Sequence, residues 1–213
     1  MGELETRYTM GDRSPEFMLK YLTALIKLSS PKASFVALEL FALLNDEQRI
    51  SPEFWMLYHP QFAMISSDMK NYLFSNIQKF REKLGAEKVD ELVGFQINSD
   101  LDQVLYNAAA KISVEDIDRT IQFIKQNKLQ HSKQLIGLAN IVKLFKNKVC
   151  SVKAYKKASK DMKPEEIPFA DLYANILAME PERAEEWKAW GKEIVDSLTD
   201  PKYIQWYKQL LQL

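Results

Sequence analysis

Glycine is scarce in this chain of 213 residues, with six in all, and no Asn-Gly or Asp-Gly pair occurs. The tight turns of two-residue β-hairpins are therefore missing, as are alternating apolar and polar runs bounded by turn residues. Strands are not expected. Cysteine occurs once, as Cys150, which excludes an intrachain disulfide and a Cys-x-x-Cys redox pair. Net charge is lacking too. Basic and acidic side chains each number 29, so no global field recruits nucleic acid or an anionic membrane. The longest apolar-rich run, Ala33 to Leu44, is interrupted by Glu39 and is far short of a membrane span. The opening MGELETRYTMG has neither the apolar stretch nor the small-residue cleavage site of a secretory signal.

Catalytic signatures are equally absent. The two histidines, His59 and His131, lie far apart and neither has a His-Glu-x-x-His companion, so no metal site is expected. His59 beside Pro60 reads as a loop residue, and His131 before Ser132 as a helix-entry residue. There is no Gly-x-Ser-x-Gly elbow and no phosphate-binding glycine loop, and nothing in sequence pairs Cys150 with a base. Glu165-Glu166 and Glu185-Glu186 are adjacent on helices and point apart, so they read as first-turn charges complementing a helix dipole. No catalytic residue, cofactor or metal ligand is assigned, and the chain is read as a non-enzyme. An all-helical enzyme built from scattered Glu, Asp, Tyr and Lys residues would escape motif reading and stays open as the alternative.

What the chain does contain is helical periodicity. Phe17, Met18, Tyr21, Leu22, Leu25 and Ile26 fall on one face, and similar stripes recur to the C-terminus. The pattern predicts an all-α fold of roughly ten or eleven short helices, as an irregular bundle or a TPR-like array of helical hairpins. Proline placement marks the starts. Ser14-Pro15, Ser30-Pro31 and Ser51-Pro52 each offer a hydroxyl at N-cap and a proline at N1, and Asp200-Pro201 offers a carboxylate. Lys163-Pro164 and Glu180-Pro181 also open helices, Ser113 with Asp116 forms a capping box, and Pro60 and Pro168 end or reset a helix. A break in an otherwise very long helix is expected near Ile97 to Asp100. The division adopted is an N-terminal helical lobe over 1–112 and a C-terminal one over 113–213, with one continuous domain as the alternative.

Charge is distributed unevenly. Arg119 to Lys160 holds eleven basic residues and no acid, whereas Asp161 to Asp200 holds eleven acids against four bases. Lys143, Lys146, Lys148, Lys153, Lys156 and Lys157 are the candidate interaction surface. One reading has these lysines grip phosphates while Phe145 and Tyr155 stack on bases. The other has oppositely charged helical hairpins packing side by side, and it is preferred because both aromatics coincide with apolar stripes. The C-terminus is rich in aromatics. Trp187 with Trp190 and Tyr203 with Trp206 have helix-face spacing and are read as core of a terminal hairpin in preference to a partner-binding patch.

One stretch resembles a known family. In YTMGDRSPEFMLKYLTAL, Gly11, Arg13, Pro15, Glu16, Phe17, Lys20 and Tyr21 are similar to a pattern in the helical region that follows the thioredoxin-like domain of exported Bacteroidetes proteins. The resemblance continues through LLNDEQRISPEFWMLY and through FREKLGAEKVDE, where Phe80, Gly85, Val89 and Asp90 fit. It covers about the first half of the chain. It implies a helical accessory region, non-catalytic in itself, whose partner is a protein: an adjoining thioredoxin-like domain or another envelope component. It further implies a periplasmic or envelope location, and no catalytic residue carries over, because the family's Cys-x-x-Cys lies in the thioredoxin-like domain.

Overall fold

Apolar residues spaced by three and four bury one face of each segment, and among the described residues every regular element is helical. The computed structural model describes residues 1–58, 67–107 and 110–212. Contacts divide the chain into two compact units, Met1–Gln96 and Ile97–Leu213. The first holds α1 (Gly2–Thr9), α2 (Pro15–Lys27), α3 (Ala33–Leu43), α4 (Asp46–Arg49), a 3-10 helix (Pro52–Tyr58), α5 (Ser67–Ser75) and α6 (Ile77–Leu84). Next comes α7 (Ala86–Tyr106), whose later residues belong to the second unit. The second unit continues with α8 (Val114–Asn127), α9 (Ser132–Lys146), α10 (Val152–Ala158), α11 (Phe169–Met179), α12 (Ala184–Ser197) and α13 (Pro201–Leu211). Short 3-10 turns at Pro164–Glu166 and Pro181–Arg183 separate some of them. The count slightly exceeds ten or eleven because α1 and α4 are polar and short, with no buried residue and hence no stripe to read.

In the first unit, Phe17, Met18, Tyr21, Leu22 and Leu25 of α2 are buried, with Val36, Ala37 and Leu40 of the paired α3. Each such side chain contributes about 1.5–3 kcal/mol on leaving water. A second cluster forms around fully buried Phe80, which meets Tyr58 edge-on at 5.0 Å and Trp55 at 6.0 Å. In the second unit, Ile117, Ile121 and Ile124 of α8 and Leu138, Ile141 and Val142 of α9 build the hairpin core. Its other half is aromatic: Phe169 packs on Trp187, Trp190 and Tyr207 at 5.3–6.0 Å. Gly191 belongs to this packing. A Cβ there would lie 2.7 Å from Leu211 and 2.8 Å from Phe169, so only glycine lets α12 come this close.

The start signals divide into those that cap and those that only turn. Ser113 and Asp116 form the expected box, with the Ser113 hydroxyl accepting from Asp116 N at 3.1 Å, and Asp200 accepts from Lys202 N at 2.8 Å. Ser14 precedes α2 with Pro15 at N1, but its hydroxyl donates to Asp12 instead of capping. Ser30-Pro31 forms a turn, so α3 starts at Ala33, and Ser51-Pro52 and Lys163-Pro164 open 3-10 helices. Glu180-Pro181 opens a 3-10 turn that leads directly into α12, and Pro168 resets the chain before α11. Pro60 and His59 lie outside the described residues.

The expected break at Ile97 to Asp100 does not occur. Helix α7 runs through it because Ile97 and Leu101 are each 2% exposed on the buried face. Asn98, on the outer face, finds its partner within the helix at Asp102, 2.7 Å away. Burial of the stripe outweighs the weak helix propensity of Asn-Ser-Asp.

Candidate interaction site

The residues around the first Ser-Pro-Glu-Phe build a polar and aromatic corner between α1 and α2. Gly11 turns the chain at φ +90°, a conformation that L side chains rarely adopt. Arg13 then lies 4.0 Å over the Tyr8 ring, and its guanidinium donates to the Tyr8 carbonyl at 2.6 Å. Arg7 covers the Phe17 ring at 4.5 Å, while Tyr21 and Lys32 both donate to Glu5. These donors hold the Glu5 carboxyl below its usual range, and burial with the Glu5 bond pushes the Tyr21 phenol up. Arg7, Arg13, Tyr21 and Lys32 each have a partner within the corner, and these contacts tie the helices together.

The second Ser-Pro-Glu-Phe leads to an open surface. It begins the 3-10 helix Pro52–Tyr58, whose tighter winding aims Phe54, Leu57 and Tyr58 inward and leaves Trp55 and Met56 half-buried. Across from them α7 presents Lys88, Glu91, Leu92 and Phe95. Together with Tyr58 they line a groove of about 290 Å³, and Phe95 is 50% exposed at its edge. Tyr58 is anchored by donating to the Arg49 carbonyl at 3.0 Å, and Lys88 Nζ lies 5.1 Å from the Trp55 ring. The floor is apolar, and the rim carries one charge of each sign. Such a groove can take an apolar side chain of a partner, with backbone or charged groups at the rim.

Of the six candidate lysines, three have partners of their own. Lys143 pairs with both oxygens of Asp118 at 2.7 and 2.8 Å, Lys156 pairs with Glu193 at 2.6 Å, and Lys146 donates to the Ala110 carbonyl. Lys148, Lys153 and Lys157 are exposed. The Lys156–Glu193 pair joins the basic segment to the acidic one, as side-by-side packing of α10 and α12 requires. Tyr155 is fully buried against Trp187 at 5.2 Å and is unavailable to stack on a base. The C-terminal aromatics split: Trp187, Trp190 and Tyr207 are core, whereas Tyr203 and Trp206 are half exposed on α13 beside Asp200 and Lys202. For these last two, the expectation of a buried hairpin face is corrected.

The remaining titratable groups serve structure. His131 enters α9 at φ 56°, and Glu165, Glu166, Glu185 and Glu186 occupy first turns. Cys150 is 5% exposed, and burial together with the neighbouring Glu180 carboxylate pushes its thiol up, away from a nucleophilic thiolate. No group of three or more metal-ligating side chains occurs among the described residues. One group escaped the sequence reading: burial of Asp102 on α7, with the charge of Asp171, raises its carboxyl to about 6. The groove was missed too, although Trp55 and Met56 stand in a quoted segment, because its second wall comes from a helix far along the chain.

No helix among the described residues is long and apolar enough to cross a membrane. No protein-family model, curated protein or solved structure matches the chain.

Proposed function

We propose that the chain is a non-catalytic helical scaffold that binds protein, acting as the companion of a thioredoxin-fold domain in an exported envelope protein. The observation that carries this reading is the groove of Trp55, Met56, Tyr58, Leu92 and Phe95, an apolar hollow open at the surface. The residues that carry the family resemblance also have structural work. Phe80 and Val89 are fully buried, Gly85 ends α6 at φ +89°, and Asp90 receives Arg81 at 2.7 Å. A scaffold would keep such positions for their packing. The partner is the thioredoxin-like domain or a neighbouring envelope protein, in the periplasm or at the cell envelope.

An NMR titration of the labelled chain with a thioredoxin-fold domain of that family tests the reading. The Trp55 indole and the Phe95 ring are expected to shift, and Phe95→Asp is expected to weaken binding about tenfold or more, as loss of an apolar anchor does. Unchanged spectra at millimolar partner would overturn it. The second reading, an all-helical enzyme, is favoured by Asp102, since a carboxyl whose proton affinity is raised by burial is common equipment of acid–base catalysis. Asp102 lines neither the groove at Trp55 nor the surface at Trp206, and the scaffold reading is preferred.

A further inference from the structure

The groove beside the second Ser-Pro-Glu-Phe carries both halves of a contact. Its hollow of about 290 Å³ is formed by Trp55, Met56, Tyr58 and Leu92, with room for an aromatic ring, and at its edge the Phe95 ring is 50% exposed. The rim is equally two-sided. Lys88 and Glu91 are exposed one turn apart on the α7 face that also holds Leu92 and Phe95, at i, i+3, i+4 and i+7. Lys88 Nζ lies 5.1 Å from the Trp55 ring, and among the described residues neither Lys88 nor Glu91 forms an ion pair. One patch thus offers a knob and a hole, a cation and an anion. Such a patch is self-complementary, which is what a two-fold contact between identical chains requires.

We propose that a second copy of this chain occupies the groove, with the two α7 helices antiparallel about a two-fold axis between Lys88 and Glu91. Each Lys88 then meets Glu91 of the second copy, and each Phe95 comes over Trp55 at the Lys88 end of the other groove. All of these residues lie within Met1–Gln96. A contact of this size falls short of a permanent interface, so the pair is a weak dimer in exchange with monomer. The inference rests on the groove and not on the identity of the partner in the scaffold reading. The second copy holds the groove closed until that partner displaces it.

Sedimentation velocity of the full chain alone, up to about 1 mM, tests it, and a concentration-dependent dimer is expected. Phe95→Asp should weaken the dimer about tenfold or more. Lys88→Glu and Glu91→Lys, each made alone, oppose like charges across the axis and should weaken it several-fold. Mixing these two single variants, or combining both changes in one chain, should restore it. A chain that stays monomeric, association indifferent to Phe95→Asp, or single reversals that mixing does not rescue would overturn the dimer. The titration with a thioredoxin-fold domain is read separately: binding by a monomeric chain leaves the scaffold reading standing, and a dimer that ignores that domain overturns the scaffold reading alone.

Discussion

Both units bury ring clusters, around Phe80 in one and Phe169 in the other, and they differ in where cations lie over rings. In Met1–Gln96, rings near the surface are covered by cations: Arg7 on Phe17, Arg13 and Lys32 on Tyr8, Arg49 on Phe41, Lys88 on Trp55. In Ile97–Leu213, the rings of Tyr155, Phe169, Trp187, Trp190 and Tyr207 pack on one another in the interior. A ring capped by a cation keeps one face near water and can be uncovered at modest cost, which suits a surface that meets a partner. A ring packed among other rings gives its whole area to the core and is expensive to remove. The groove at Trp55 lies in the first unit, and the fully buried Trp187 lies in the second.

Removing the two tryptophans separates these roles most strongly. Trp187→Ala takes out a fully buried ring and leaves the Cys150 carbonyl without its indole donor, 3.0 Å away. A loss of about 3–5 kcal/mol in urea denaturation is expected, whereas Trp55→Ala should cost clearly less. Equal losses would erase the distinction between core ring and capped ring. A smaller effect is expected at the polar corner. Arg13→Ala loses a stacked guanidinium and its bond to the Tyr8 carbonyl, about 1–2 kcal/mol by the same measurement, and Arg13→Lys should recover only part of it. Full recovery by lysine would mean that charge alone matters there.

The smallest effect distinguishes the units by acid. Donors hold Glu5 and Asp12 below the usual carboxylate range, so their contribution is present above the ordinary values of 4.5 and 3.8 and is lost as pH falls through their folded values. Asp102 has the opposite sign. Its ionisation weighs against the fold above about 6, and that burden lifts as pH falls toward its ordinary value of 3.8. NMR chemical shifts followed from pH 7 to 3 should therefore show the end of α7 tightening first and the α1–α2 corner loosening later. Simultaneous loosening of both would contradict the assignment.

Much of the fold was legible in single stretches. The stripe Phe17, Met18, Tyr21, Leu22 and Leu25 is buried as its spacing requires, and the Ser113 and Asp200 caps close as their side chains dictate. Ser-Pro pairs were less decisive, because a proline at the start of a segment suits α and 3-10 winding alike. The candidate surface was hardly legible. Three of the six lysines are spent on Asp118, on Glu193 and on a carbonyl, and a run of like charge in sequence does not reveal which partners the fold will supply. The second wall of the groove is equally remote from the first in the chain.

By itself, the sequence determined that this protein is helical, where some helices begin and which faces they bury, because those properties depend on residues within one or two turns of each other. Only the tertiary structure decided that Trp55 meets Phe95 across a groove and that Lys156 pairs with Glu193. Each of these joins side chains from separate helices, and their approach is set by packing of the apolar faces, to which the polar residues concerned contribute little.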